Sequence, residues 1–543
     1  MAGPIATAPT QMGGVDTNRR ALLLAIMVCF GGFVFGLDAA LVSGTKAYVI
    51  RDLGVDAIGF GYAVSAPGLG VVFALMVTGF VCDRLGRRTT LLIIGWLYLI
   101  SAVGAVFSQT LWQLVAFRFL GGLAFASLSV SSMYVGEIAP PAKRGLLVAV
   151  NQLNIVVGLF AAYLANYFIQ GWVADGAPIA AATGMDRYTW QWMLAVQIPP
   201  SILWILFLLK IPESPRWLLL KGRREEAAAV MRQLAPAGEV ERSVAEIEAM
   251  VKAERAGSSG RSEGTWQSLA RMFSPTIIRA TIVGLVIAAV QPTTGINAIM
   301  FYAPYVIEQS GVGADASFLV PVVNGVFSII ATSLALVFID RIGRRTILLG
   351  GLAVAAVSLL ACSLAFATAT YRLEAPRIAA LPAEIDRASL APVVGVTFDN
   401  DVAFKRALNS AIGRDVAERH EAELLKAATS INLWAVLIGI AAFVAAFQFS
   451  IGPIMWVILA EIFPTGVRGV AIPACGLLTA LINYFVQQLF PWQLVSFGAA
   501  SIFGTYALCV TIGFLVLWRM LPETKGRSIE EIAATLAMKK EPA

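Results

Sequence analysis

DRLGRR, from Asp83 to Arg88, returns almost letter for letter as DRIGRR from Asp340 to Arg345, and each copy lies between long apolar runs. Two further markers recur in the same order. GEIAPPAKRG, from Gly136 to Gly145, returns as AEIFPTGVRG from Ala460 to Gly469, with Glu, Pro, Arg and Gly at identical spacing. Pro212-Glu213-Ser214 returns as Pro522-Glu523-Thr524. Three pairs in one order make an internal repeat. In a chain this apolar, a duplicated half with duplicated charge clusters implies a membrane transporter of two similar bundles, with its substrate site between them.

The composition excludes a soluble reading. Hydrophobic residues make up 58% of the 543 and charged residues 14%, with a mean hydropathy of +0.77. Segments of about 20 apolar residues cross a bilayer core as helices, and the sequence holds twelve. The predicted fold is an all-α membrane protein, twelve transmembrane helices in two pseudo-symmetric six-helix bundles. Residues 1–20 read as a cytoplasmic tail, 21–210 as the first bundle and 211–276 as a cytoplasmic linker with short amphipathic helices. Residues 277–520 read as the second bundle, and 521–543 as a second cytoplasmic tail. The offset between repeat copies grows by about 67 residues between the first and second markers, which locates an external insertion at 371–430. Its stretch from Asp401 to Lys426 reads as helical, a small cap without a legible function, more simply a passive insertion.

Loops rich in Lys and Arg stay in the cytoplasm. Those carrying Arg84, Arg87, Arg88, Lys143, Arg144, Arg341, Arg344, Arg345 and Arg468 are therefore placed inside, with both termini. The expected location is the plasma membrane, the inner membrane of a bacterium. Net charge +6 expresses this bias and requires no nucleic-acid partner. The polar first eighteen residues lead directly into a full-length span, so no cleavable signal is read. The five cysteines show no paired or metal-like spacing, and no metal or cofactor is expected. The single histidine, His420, falls in the insertion and reads as solvated.

Two charges fall inside apolar spans. Asp38 sits about two turns from the outer end of the first span and Arg118 about two turns from the outer start of the fourth. Equal depth and opposite sign predict that they pair, since a lone charge there is costly, and make both functional candidates. A static salt bridge is the alternative. Polar groups also gather where helices are interrupted. QPTTGIN places Gln291 and Asn297 around Pro292 and Gly295, and Gly452-Pro453 precede Trp456. Amides carry both donors and acceptors and an indole offers a flat apolar face, the mixture that a small-molecule site between two bundles calls for. Gln152, Asn324, Gln448, Thr479 and Asn483 are further candidates. Amides and hydroxyls also cement neighbouring membrane helices, so for Asn154, Asn324 and Asn483 the two readings stand level.

The ordered strings GFVCDRLGRR, RFLGG, YVGEIAPPAKRG, NQLNIVVG, PESPRWL, QPTTGIN, DRIGRR, AEIFPTGVRG and PETKGRS resemble the sugar porter family of the major facilitator superfamily. The resemblance covers nearly everything except the first tail and the insertion. It implies transport of a sugar or polyol, with protons in the coupled members, by a protein expected to work as a monomer in the lipid bilayer. It further implies that Asp38 and Arg118 couple the proton, and that Gln152, Gln291 and Asn297 contact the substrate. It assigns a cytoplasmic gating network to Asp83, Arg87, Arg88, Glu137, Arg144, Glu213, Arg216, Asp340, Arg344, Arg345, Glu461 and Arg468. A bland reading, in which those charges only set topology and helix ends, holds in part beside it.

Departures limit the substrate. Pro292 stands where monosaccharide members carry a second Gln, and Thr479 and Ala480 stand where they carry an amide and a Trp. A larger pocket with fewer hydrogen bonds suits a disaccharide, a polyol such as inositol, or a less hydroxylated ligand, with a monosaccharide the default. A facilitative uniporter and a non-transporting sugar sensor remain as alternatives. No nucleophile and base pair or phosphate loop suggests an enzyme.

Overall fold

The computed structural model describes residues 12–138, 144–235, 238–259, 270–275, 277–379, 381–382, 384–527 and 531–532. Apolar runs of this length become helices because lipid offers no partner for the backbone, so every amide must bond within its own segment. Among the described residues, eleven helices are long and apolar enough to cross a membrane. In order they are Arg19–Gly44, Ala57–Leu85, Arg87–Val106, Leu111–Ile138, Val150–Ala174, Thr189–Lys210, Ile278–Phe301, Asp315–Ile339, Arg344–Ala367, Leu433–Ile462 and Val467–Met520. The last contains two spans, because Gly498 adopts φ 78° and ψ 170° and divides it. Twelve spans result among the described residues, six on either side of the linker.

The repeat is legible in the local chemistry. Each DR(L/I)GRR copy is the tight turn between two antiparallel spans, with helices ending at Leu85 and Ile342 and resuming at Arg87 and Arg344. The free amides opening the new helix are met by the carboxylate of the Pro-Glu-Ser/Thr marker. Glu213 Oε1 accepts from the backbone N–H of Arg87 (2.9 Å) and Arg88 (3.0 Å), and Glu523 Oε1 from that of Arg344 (3.0 Å). A carboxylate at a helix N-terminus satisfies orphan donors and complements the dipole, so markers far apart in sequence form one unit. At the opposite end the caps are ordinary: Asp56, Thr110 and Asn432 accept from the amides of Gly59, Gln113 and Ala435.

The two bundles close on one another at the end bearing the insertion. Ser65 of the second span donates to Gln488 of the eleventh, and Tyr163 Oη of the fifth donates to the Met300 carbonyl of the seventh (2.8 Å). The Phe60 and Tyr302 rings meet edge to face at 6.2 Å. At the basic end, each described ion pair of the charged clusters joins residues of the same half: Arg87 with Glu137 (3.0 Å) and Asp83 (3.5 Å), and Arg344 with Glu461 (3.3 Å).

Between the halves lie the helices Pro215–Leu220, Arg224–Leu234 and Val240–Ser259. Their apolar faces form a small core around Trp217, Leu218, Ala227 and Val244, and Trp217 Nε1 donates to the Asp83 carbonyl (3.1 Å).

The stretch of the insertion from Asp401 to Lys426 is helical as expected, and the segment holds strands beside it. The insertion carries helices Asp401–Ile412, Arg414–Arg419 and Glu421–Ala428, but also a three-stranded antiparallel sheet. The strands are β1 (Thr370–Arg372), β2 (Thr397–Phe398) and β3 (Thr429–Ser430), in the order β2-β1-β3. Strands this short give no alternation to read, which is why the sequence hid them. Tyr371, Leu373, Leu390, Phe404, Leu408 and Leu424 form its own core. The expectation of a solvated His420 is corrected here: its side chain is 12% exposed and Nε2 lies 3.2 Å from Glu384.

Candidate functional site

The two intramembrane charges meet. Arg118 Nη1 lies 2.9 Å from Asp38 Oδ1 and 3.2 Å from the Asp38 carbonyl, and its Nε points to the Ala63 carbonyl at 3.5 Å. Both side chains are at most 3% exposed. RFLGG packs the fourth span tightly on the second, where Arg118 also reaches the Ala63 carbonyl: a Cβ on Gly122 would run into the backbone of Pro67, so only glycine lets these two spans come this close. The pair is asymmetric. Asp38 Oδ2 is buried and not bonded to the guanidinium, and the buried Gln197 carboxamide of the sixth span, whose Nε2 has no other partner, faces the carboxylate as its second polar neighbour. Gln197 was not among the sequence candidates. Its signal was available, a lone amide within WMLAVQIPPS.

A second polar group lies in the other half. The seventh span breaks at Gly295, whose φ of 77° opens the helix between Thr293 and Ile296; a Cβ there would strike the Tyr506 ring. The break turns Asn297 toward the eleventh span, where its Nδ2 donates to Asn483 Oδ1 (2.7 Å). Gln291 Oε1, one turn before the break, is buried without a partner. The tenth span breaks at Ser450 (φ −122°, ψ −99°), just ahead of Gly452-Pro453. Trp456 beyond it sets its indole edge against Gly476 on the eleventh span. Thr479 donates to the Ala288 carbonyl (2.9 Å) and so bridges the eleventh and seventh spans.

Asn297, Asn483, Thr479 and Trp456 thus converge on spans seven, ten and eleven. Gln448 is buried in the tenth span, and Asn324 lines a small apolar cavity with Tyr163, Met300 and Pro321. Gln152 is half-buried on the fifth span, and no described contact joins it to the second-half group. Asn154 Nδ2 donates to the Cys29 carbonyl (3.0 Å), a helix-to-helix tie.

The charged clusters at the basic end are built from side chain to backbone as much as from ion pairs. Arg88 donates to the Leu209 carbonyl (2.9 Å), Arg345 to that of Trp518 (2.8 Å) and Arg468 to that of Phe463 (3.0 Å). Arg216 lies in the first linker helix. The side chains of Arg144 and Asp340 lie outside the described residues.

A cluster that the sequence did not flag sits at the insertion end, beyond the spans. Lys46 follows the first span, Glu308 ends the short helix Ala303–Glu308 after the seventh, and Glu421 comes from the insertion. Burial would raise the Glu421 carboxyl, but Lys405 and Lys46 outweigh it and hold it at about 2. For Glu308 burial wins. It pushes the carboxyl up to about 7, with Glu421 and Glu423 acting in the same direction and Lys46 and the Ser317 hydroxyl against it. A solvated carboxyl titrates at about 4.3. The folded protein therefore holds the extra proton between these values, and its stability falls as pH rises through that window toward about 7. Melting temperature is expected to fall as pH rises from about 5 to about 7, and Glu308→Gln to flatten that slope. An unchanged slope in the variant would remove Glu308 as its source.

A family model described as "Sugar (and other) transporter" matches residues 24–380 and 422–536. The chain is 28% identical to the arabinose-proton symporter of Bacillus subtilis, over 96% of this chain and 98% of that protein. It is 27% identical to the D-xylose-proton symporter of Escherichia coli, over 94% of each, and 27% identical to the glucose transporter GlcP of Staphylococcus epidermidis, over 94% and 96%. Among solved structures it resembles the proton:xylose symporter XylE bound to 6-bromo-6-deoxy-D-glucose, with a TM-score of 0.67 at 25% identity over 95% and 99% of the two chains. It also resembles the inward-open conformation of XylE from E. coli, with a TM-score of 0.69 at 25% identity over 94% and 98%.

Proposed function

The chain belongs to the sugar (and other) transporter family, and from that premise we propose that it imports a sugar or polyol together with a proton by alternating access, with Asp38 as the proton-carrying group. The observation that carries the reading is the buried Asp38–Arg118 pair, with the guanidinium on Oδ1 alone and the neutral Gln197 carboxamide facing the carboxylate. Oδ1 is occupied by the guanidinium, so the second oxygen is the one free to take a proton. A protonated Asp38 no longer compensates Arg118, and the unpaired cation then favours a rearrangement of the helices that carry it. Charge at this site and shape of the bundle thereby become one equilibrium.

The basic end is the cytoplasmic one by its Lys and Arg content. Contacts between the halves gather at the other end, so the conformation described is closed outside. The arrangement of the Arg87–Glu137 and Arg344–Glu461 clusters, each within its own half, fits a latch at rest that engages when the inner ends approach. Cargo is held where the seventh and tenth spans break, with Asn297, Asn483, Gln291 and Trp456 as the contacts of the second half and Gln152 supplied by the first on closure. A cargo hydroxyl replaces the Asn297–Asn483 bond, and another donates to Gln291 Oε1.

The test is uptake into proteoliposomes of a labelled panel of hexoses, pentoses, disaccharides and polyols, with and without an inward proton gradient. One cargo accumulated only with the gradient is the expected result. Equilibration without accumulation would make the protein a uniporter, and binding without uptake would make it a sensor.

A further inference from the structure

We infer that the insertion is a strap: carried by the second half, it closes the outer gate through two ion pairs to the first half. The proposal rests on the alternating-access reading, which it deepens by assigning a role to the extra segment between the ninth and tenth spans.

The insertion is fastened to the second half at several points. β1 and β3 continue directly from the ninth span and into the tenth, and they pair with each other. Asp401, itself 6% exposed, accepts from the backbone N–H of Ala499 (3.1 Å) at the start of the twelfth span. Lys405 donates to Gln309, just past the seventh span. The segment must therefore move with that half.

Among the described residues, ion pairs join it to the first half at two places. Glu421 takes Lys46, which follows the first span, at 3.5 Å, while also receiving Lys405 at 2.7 Å and Gln309 at 3.3 Å. Lys46 and Glu421 are only 13% and 16% exposed, and the lysine also lies over the Tyr305 ring of the second half. Arg414 takes Asp56, the residue that caps the second span, at 3.1 Å. Both pairs stand at the end where the bundles touch through Ser65–Gln488 and Phe60–Tyr302. Opening the outer gate must break them. The family match omits residues 381–421, the part that carries Lys405, Arg414 and Glu421, so the strap is an addition to the shared fold. A folded core of its own makes the segment a stiff arm and not a passive loop, because ion pairs held by preorganised groups lose less to side-chain entropy.

The experiment reads the outer gate directly. Ser65→Cys is placed in a background whose five native cysteines are replaced by alanine, and its labelling by a membrane-impermeant maleimide from the insertion side is timed. Adding Lys46→Gln with Arg414→Gln is expected to speed labelling about 10-fold, the population shift that two such pairs support. If the double variant does not fold, Arg414→Gln alone cuts the more exposed pair and is expected to give about 3-fold. An unaltered rate overturns the strap whatever uptake shows. Labelling needs no cargo, so a protein that labels faster when the pairs are cut yet never accumulates sugar loses the symport reading and keeps the strap.

Discussion

Asp38→Asn is expected to abolish accumulation of cargo against its gradient while leaving counterflow exchange in place. A pH difference of two units stores roughly 2.7 kcal/mol per proton, about a 100-fold concentration ratio for one-to-one coupling. The amide has the shape of the acid and can still accept from Arg118 Nη1 through its oxygen, so the geometry at 2.9 Å is largely preserved. What it cannot do is gain and lose a proton at the second position, Oδ2, which the guanidinium leaves free. The ratio should therefore fall from about 100 to 1 under the same gradient, with exchange of labelled for unlabelled cargo continuing. Arg118 also loses its counter-charge, and removal of one partner of a buried pair costs about 3–5 kcal/mol, so a lower melting temperature accompanies the loss. Accumulation by the variant at the parental level would exclude Asp38 as the proton carrier. Loss of exchange together with accumulation would instead mark the pair as a static tie between the first and fourth spans.

The sequence made the architecture legible because lipid leaves few options. Apolar length fixed the spans, and the recurrence of DRLGRR and PES as DRIGRR and PET fixed the two-fold repeat. The structure supplies the reason those strings travel together: Glu213 and Glu523 cap the helices that the basic motifs open. The Asp38–Arg118 contact was legible from depth and sign alone. Gln197 was not singled out, because an isolated amide in a span is as readily a helix tie as a site. The insertion was opaque for a different reason. Its strands are two or three residues long, and its ion pairs join residues hundreds of positions apart, such as Asp56 with Arg414. No periodicity announces a contact of that kind.

The polar residues of the second half were legible as a set but not by role, and the break at Gly295 is what separates them. Asn297→Ala is expected to raise the KM for cargo about 5- to 150-fold with the proton-to-cargo ratio unchanged, the effect of leaving a buried polar partner unmatched at about 1–3 kcal/mol. The side chain donates to Asn483 Oδ1 at 2.7 Å. Its loss removes one donor from the cargo and strands a second acceptor. Asn154→Ala supplies the contrast, since that amide is spent on the Cys29 carbonyl within the first half. Cutting such a tie lowers melting temperature and leaves KM near its parental value, double-mutant measurements of membrane hydrogen bonds averaging about 0.6 kcal/mol. The two variants therefore part along different axes, affinity for Asn297 and stability for Asn154. Matched losses of stability with equal KM would move Asn297 and Asn483 out of the cargo site and into the set of residues that hold the seventh and eleventh spans together. In that event the unpartnered Gln291 Oε1 and the Trp456 indole would be left as the second half's means of recognising a sugar, and Gln291→Ala would be the variant to carry the rise in KM.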